Sequence, residues 1–131
     1  MSDQQIVVIG AGIIGLTTAR VLQQAGHRVQ IISAELPLDT TSVAAAAFWY
    51  PSDSEPKDDV LRWGLSTLKT FKELKEEGVA GITYERALEV HPDPTWHPWW
   101  LNVVANPRKA DLAELPSPVA GGSGYWFDTL V

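Results

Sequence analysis

The run Ile6-Val7-Val8-Ile9-Gly10-Ala11-Gly12-Ile13-Ile14-Gly15 constrains this chain more than any other stretch. It reads as an apolar strand that enters a Gly-x-Gly-x-x-Gly turn and leaves it as a helix. Gly10 permits the tight turn, Gly12 lets backbone approach a pyrophosphate, and Gly15 lets the helix pack close to the sheet. The helix N-terminus then presents free N–H groups and its positive dipole end to an anion. Leu16, Ala19, Val21, Leu22 and Ala25 supply a mostly apolar helical face, and Gly26 is placed to stop the helix. Arg28-Val29-Gln30-Ile31-Ile32 reads as a second, buried strand. Glu35 follows about twenty residues after the last glycine, where a carboxylate would meet a ribose hydroxyl. The motif is common by itself, so this context carries the weight. Together the elements read as a βαβ unit, the first half of a dinucleotide-binding fold.

Composition excludes several functions. The net charge of −6 argues against nucleic acid or an anionic membrane surface as partner. The chain has no cysteine, which removes disulfides, thiolate catalysis and Cys-based zinc sites. Only Met1-Ser2-Asp3-Gln4-Gln5 precede the first strand, leaving no room for a signal peptide. No apolar run approaches about eighteen residues, the length a spanning helix needs. A cytoplasmic, non-membrane chain is the expectation, with a peroxisomal location left open.

Further along, Ala44 to Ala47 have weak helical propensity, and their small side chains beside hydroxyls could pass under a flat ligand. From Ser54 to Glu77, Leu61, Leu65, Leu68, Phe71 and Leu74 recur at helical spacing, with Asp58 and Asp59 near the start and Gly78 after the end. The lysines and glutamates of this helix read as a solvated face. Alternation over Ile82–Val90 predicts a strand that His91-Pro92-Asp93-Pro94 ends, since proline supplies no ladder donor. Trp99–Val104 and Tyr125–Val131 predict further strands, and Asp111–Leu115 a short helical turn. His27 reads as an exposed polar residue, and His91 and His97 as parts of a proline-set turn rather than metal ligands. Trp96, Trp99, Trp100 and Trp126 fit core or inter-domain packing better than an aromatic binding surface. Tyr50 fits either packing or contact with a small molecule. The fold class is α/β: a Rossmann-like βαβ unit followed by the start of a mostly antiparallel region, incomplete at the C-terminus.

Four motifs in order make the chain resemble the N-terminal part of the D-amino-acid oxidase family of FAD enzymes. They are residues 7–16, the Thr-Thr-Ser-Val-Ala-Ala-Ala-Ala-Phe-Trp-Tyr-Pro run at 40–51, His-Pro-Asp-Pro-Thr-Trp at 91–96, and Gly-Tyr-Trp-Phe-Asp-Thr-Leu at 124–130. The first is generic to flavoproteins; the other three in this order are specific. The resemblance implies an FAD-binding portion at 1–80, partial substrate-domain strands and loops at 81–124, and a strand leading back to the FAD domain at 125–131. It implies that Ala11, Gly12, Ile13 and Ile14 lie along the FAD pyrophosphate, and that Thr40, Thr41 and Ser42 hydrogen-bond phosphate or ribitol oxygens. Ala47, Phe48 and Trp49 would run beside the isoalloxazine and offer it backbone N–H groups.

Where many relatives carry Asp-Arg, this chain has Ala34-Glu35, so the ribose carboxylate is either Glu35, displaced by one position, or absent. The implied reaction is oxidative deamination of a D-amino acid to a 2-oxo acid, with oxygen as acceptor. The family's substrate-binding arginine and tyrosine are expected past residue 131, as is the third strand of the FAD sheet. The expectation is therefore an inactive N-terminal fragment, with a dimer or a complementing C-terminal half as partner. Two other readings stay open: an NAD(P)-dependent dehydrogenase fragment, in which the 40–51 run has no obvious place, and a non-catalytic dinucleotide-binding or interaction module.

Overall fold

A computed structural model describes residues 5–45, 47–51 and 54–131. They divide into two compact units, Met1–Ala46 and Ala47–Val131.

In the first unit, strand β1 (Gln5–Ile9) and strand β2 (Arg28–Ile32) pair in parallel, from Gln5 opposite Arg28 to Ile9 opposite Ile32. Helix α1 (Ile13–Gln24) makes the crossover and starts three residues earlier than the apolar face suggested. Gly26, at φ +87°, ends that crossover in the left-handed conformation that glycine adopts freely. A 3₁₀ turn at Pro37–Asp39 and a short helix α2 (Thr41–Ala44) complete the unit. The helical turn expected over Ala44–Ala47 thus lies three residues upstream. Ala45 is already extended, and Ala46 lies outside the described residues.

The expectation that β2 is buried is corrected here. Val29 alone in that strand is partly shielded, while Ile31 and Ile32 are exposed. Parallel sheets are ordinarily covered on both faces by helices. Among its described residues this unit has two strands and one long helix, too little to cover both faces.

The second unit begins with helix α3 (Lys57–Glu76), with Asp58 and Asp59 in its first turn and Gly78 at φ +80° just beyond its end. Leu61, Leu68, Phe71 and Leu74 of its apolar stripe are half-buried, whereas Leu65 is exposed. By its packing α3 groups with the sheet that follows, whereas the division at residue 80 had put it with the first portion. The Lys75 ammonium, for example, donates to the Ile82 carbonyl at 2.7 Å.

Strands β3 (Tyr84–His91), β4 (Ala105–Lys109) and β5 (Ser123–Leu130) form an antiparallel sheet in the order β3-β5-β4. The segment expected as a strand leading back to the cofactor domain is thus the middle strand of this sheet. The strand expected at Trp99–Val104 is not formed. Leu101–Val103 is a 3₁₀ turn, closed by the Val103 N–H donating to the Trp100 carbonyl at 3.0 Å, and the strand runs over 105–109 instead. The reason is burial of Trp100, only 1% exposed, which packs edge-on against the fully buried Phe127 with ring centroids 5.0 Å apart. Val104 and the partly buried Trp49, Tyr50, Ala87, Trp96 and Trp99 surround that pair.

The Asp111–Leu115 turn forms as a 3₁₀ turn at Leu112–Glu114, with reciprocal capping between Asp111 and Glu114. Arg108 grips Glu114 through two hydrogen bonds of 2.6 and 2.8 Å, and Arg86 and Arg108 each lie 5.7 Å from the Trp126 ring. Among the described residues no helix is long and apolar enough to cross a membrane.

Candidate cofactor-binding site

The glycines of the first motif do different physical work. Gly10 has φ +104°, a left-handed conformation, and its N–H donates to the Ile32 carbonyl at 2.8 Å, carrying the sheet pairing into the turn. Nothing lies within 4 Å of where a Cβ would sit, so glycine is needed there for conformation alone. Gly15 is needed for space. A Cβ there would come 2.1 Å from the Gly10 carbonyl oxygen, a backbone atom that cannot swing aside. Gly12 precedes the first turn of α1 in ordinary extended backbone, at φ −75°. A Cβ on it would meet the Ser42 hydroxyl at 2.9 Å.

These residues open a cavity of about 360 Å³, lined by Val8, Ile9, Gly10, Gly12, Ile13, Ile14, Gly15, Thr18 and Ser42. No side chain in that lining is ionisable. The first turn of α1 carries no acid, and Gly12 offers no side-chain cap. The dipole end of the helix is therefore unneutralised by its own sequence, the condition under which it attracts an anion. Ser42 approaches from α2, and its hydroxyl oxygen accepts the Ile13 N–H at 3.1 Å. A hydroxyl accepting in this way keeps its own hydrogen to donate. Ile13 and Ile14 are exposed at this opening, while Ala11 is buried and outside the lining.

Not all of the expected residues converge. Thr40 donates its hydroxyl hydrogen to the Pro37 carbonyl at 2.8 Å, and neither Thr40 nor Thr41 lines the cavity. Glu35 is exposed, three residues beyond the end of β2, and is also outside the lining. Val8, Ile9 and Thr18 are lining residues that the motif did not single out. Thr18 was legible in principle, because it stands one helical turn after Ile14 and donates to the Ile14 carbonyl at 2.8 Å.

In the second unit, Ala47, Phe48, Trp49 and Tyr50 line another cavity of about 360 Å³ with Phe71, Gly81, Ile82, Leu130 and Val131. Its lining is mostly apolar, with the Tyr50 phenol as a polar group. Phe48 is half-exposed and stacks on Tyr50 at 5.1 Å, with the planes 12° apart. The backbone N–H of Trp49, expected to face a ligand ring, instead donates to the Leu130 carbonyl at 2.8 Å. The 91–96 motif builds a turn. Asp93 accepts the Thr95 hydroxyl and N–H at 2.7 and 2.8 Å, which hold its carboxyl below the usual range, and His91 stacks on Trp96.

Residues 5–115 match the family model described as FAD dependent oxidoreductase. A D-amino-acid oxidase of Rubrobacter xylanophilus is 35% identical over 117 residues, which cover 88% of this chain and 36% of that protein. One from Dictyostelium discoideum is 32% identical, covering 95% of this chain and 38% of that protein. A human D-aspartate oxidase is 33% identical, covering 99% of this chain and 41% of that protein. This chain belongs to the FAD-dependent oxidoreductase family that includes the D-amino-acid oxidases. It spans little more than a third of the length of those relatives.

Proposed function

We propose that this chain is the pyrophosphate-binding portion of an FAD enzyme that oxidatively deaminates D-amino acids to 2-oxo acids, with oxygen as acceptor. The observation that carries the reading is the uncharged, glycine-built opening at the N-terminus of α1. It fits a group whose phosphates take backbone N–H donors and whose bulk excludes side chains. The Ile14 and Gly15 N–H groups, at the first turn of α1, and the Ser42 hydroxyl would hold pyrophosphate oxygens. Thr40 and Thr41 are assigned phosphate or ribitol oxygens, and Glu35 the ribose, on the family resemblance. Ala47, Phe48 and Trp49 are assigned to the isoalloxazine on the same ground, with Trp49 contributing its side chain and position rather than its N–H.

Bound FAD supplies the hydride acceptor, and the chain's own residues bind and orient it. The substrate class rests on the names of the relatives, which include both a D-amino-acid oxidase and a D-aspartate oxidase. A substrate carboxylate needs a cationic partner, and neither described cavity is lined by one. The proposal therefore extends to inactivity. These 131 residues bind the cofactor and turn over no D-amino acid until a polypeptide supplying the remaining family residues is added.

An oxygen-uptake assay with D-alanine and D-aspartate, run on the FAD-loaded chain, tests this extension. No uptake above free FAD is expected. Uptake abolished by Gly15→Ala would refute it. A chain that binds NAD(H) and leaves the flavin spectrum unchanged would favour the nicotinamide reading.

A further inference from the structure

Trp49 is held at three points within the second unit. Its N–H donates to the Leu130 carbonyl at 2.8 Å, and its carbonyl accepts the hydroxyl of Thr129. Its indole N–H donates to the Gly64 carbonyl, in the middle of α3, at 2.9 Å. Thr129 is buried, 4% exposed, on the middle strand of the sheet. A threonine there is not required by strand pairing, which uses backbone alone. Its hydroxyl serves the segment 47–50 instead, and that segment has no ladder of its own. The two bonds to β5 fix the peptide planes on both sides of Trp49. The half-exposed Phe48 ring, stacked on Tyr50, is thereby presented in one orientation above the apolar cavity.

We propose that Thr129 is a positioning residue for the flavin: through the Trp49 carbonyl it sets the orientation of the Phe48–Trp49 segment against which the isoalloxazine lies. This rests on the FAD reading above and adds to it a residue about eighty positions away from the segment it orients. The consequence is physical. If the segment is pre-ordered, flavin binding does not bear the cost of ordering it; if it is not, the apparent affinity falls with the fraction in the competent state.

The test is an FAD titration of the 131-residue chain as wild type, Thr129→Val and Thr129→Ser, reading the dissociation constant and the visible spectrum at saturating FAD. Valine keeps the shape and removes the donor, leaving the Trp49 carbonyl short of a partner. The expected result is about a tenfold weaker dissociation constant for Thr129→Val. Its saturated spectrum should also shift toward that of free FAD, and serine should restore both. A folded Thr129→Val chain with wild-type affinity and spectrum overturns the inference while leaving the FAD reading intact. So does equal impairment by valine and serine, which would assign the effect to packing. A wild-type chain that leaves the flavin spectrum unchanged overturns both. If Thr129→Val does not fold, Thr129→Ala replaces it. That variant also removes the hydroxyl donor to the Trp49 carbonyl, and an unaltered flavin affinity and spectrum in it overturn the inference.

Discussion

The two units use apolar residues in opposite ways. In the second, Phe127 is fully buried and Trp100 nearly so, ringed by aromatic and aliphatic side chains. In the first, Ile9 is 87% exposed and Ile14 81%, and among its described residues Ala11 and Ala19 are the buried apolar ones. The first unit therefore draws its order from backbone: a parallel pair of strands, one crossover helix and a glycine turn. The second draws it from packing. The lesson is that the element with the most recognisable chemistry need not be the one that holds the chain together. A glycine loop at a helix end shapes a cavity on very little core.

The contrast predicts separable damage. Phe127→Ala should have the largest effect, costing the second unit about 3–5 kcal/mol because it empties the centre of its core. Near-ultraviolet circular dichroism of the tryptophans would follow that loss during denaturation. Next comes Gly15→Ala. Its Cβ would press on the Gly10 carbonyl, so the turn must open, and FAD affinity should fall about a hundredfold with the tryptophan signal unchanged. Calorimetric titration measures it. Equal damage by either variant to both readouts would break the comparison.

Ser42→Ala should be milder, weakening FAD about three- to tenfold through loss of one hydroxyl donor. The same titration sharpens the assignment of Ser42 against that of Thr40, whose hydroxyl hydrogen is already given to Pro37. Thr40→Ala should change FAD affinity less than Ser42→Ala.

The smallest effect concerns acid. Hydrogen bonds from Arg108, and then from the Asp111 N–H, lower the Glu114 carboxyl from 4.5 to about 2. A pKa depressed in the folded state stabilises above the unfolded value and loses that contribution as pH falls through the folded one. The second unit should therefore lose some melting temperature between about pH 4.5 and 2, and Glu114→Gln should flatten that dependence. The pair is at the surface, so salt should blunt it.

Much of the first unit was legible because its rules are local. Glycines at fixed spacing, an apolar run before them and a helical face after them specify a strand, a turn and a helix without reference to the rest of the chain. Helix α3 was legible for the same reason, through the spacing of Leu61 to Leu74. Strand β4 was not. It contains Asn106-Pro107, which looks like a turn, and the pairing with β5 shifts register between Ala105 and Arg108 to absorb them. Asn106 takes φ +48° and donates to the Asp128 carboxylate at 2.6 Å. Such a bulge is set by the partner strand, which no local pattern encodes.

Likewise the exposure of Ile31 and Ile32 follows from how many elements surround β2, not from its own residues. At the site, the tight turn at Gly10 and the close approach at Gly15 could be read from the sequence. The commitments of the Thr40 hydroxyl and the Trp49 N–H depended on neighbours at Pro37 and Leu130, and the second of these is remote in sequence.

The central claim is that the turn at residues 10–15 binds the pyrophosphate of FAD. Titrating FAD with the wild-type 131-residue chain and with Gly15→Ala, while following flavin fluorescence, tests it most directly. Saturable binding by the wild type, lost in a variant whose tryptophan circular dichroism is intact, is the predicted result. No binding by the folded wild type, or equal binding by the variant, would contradict it.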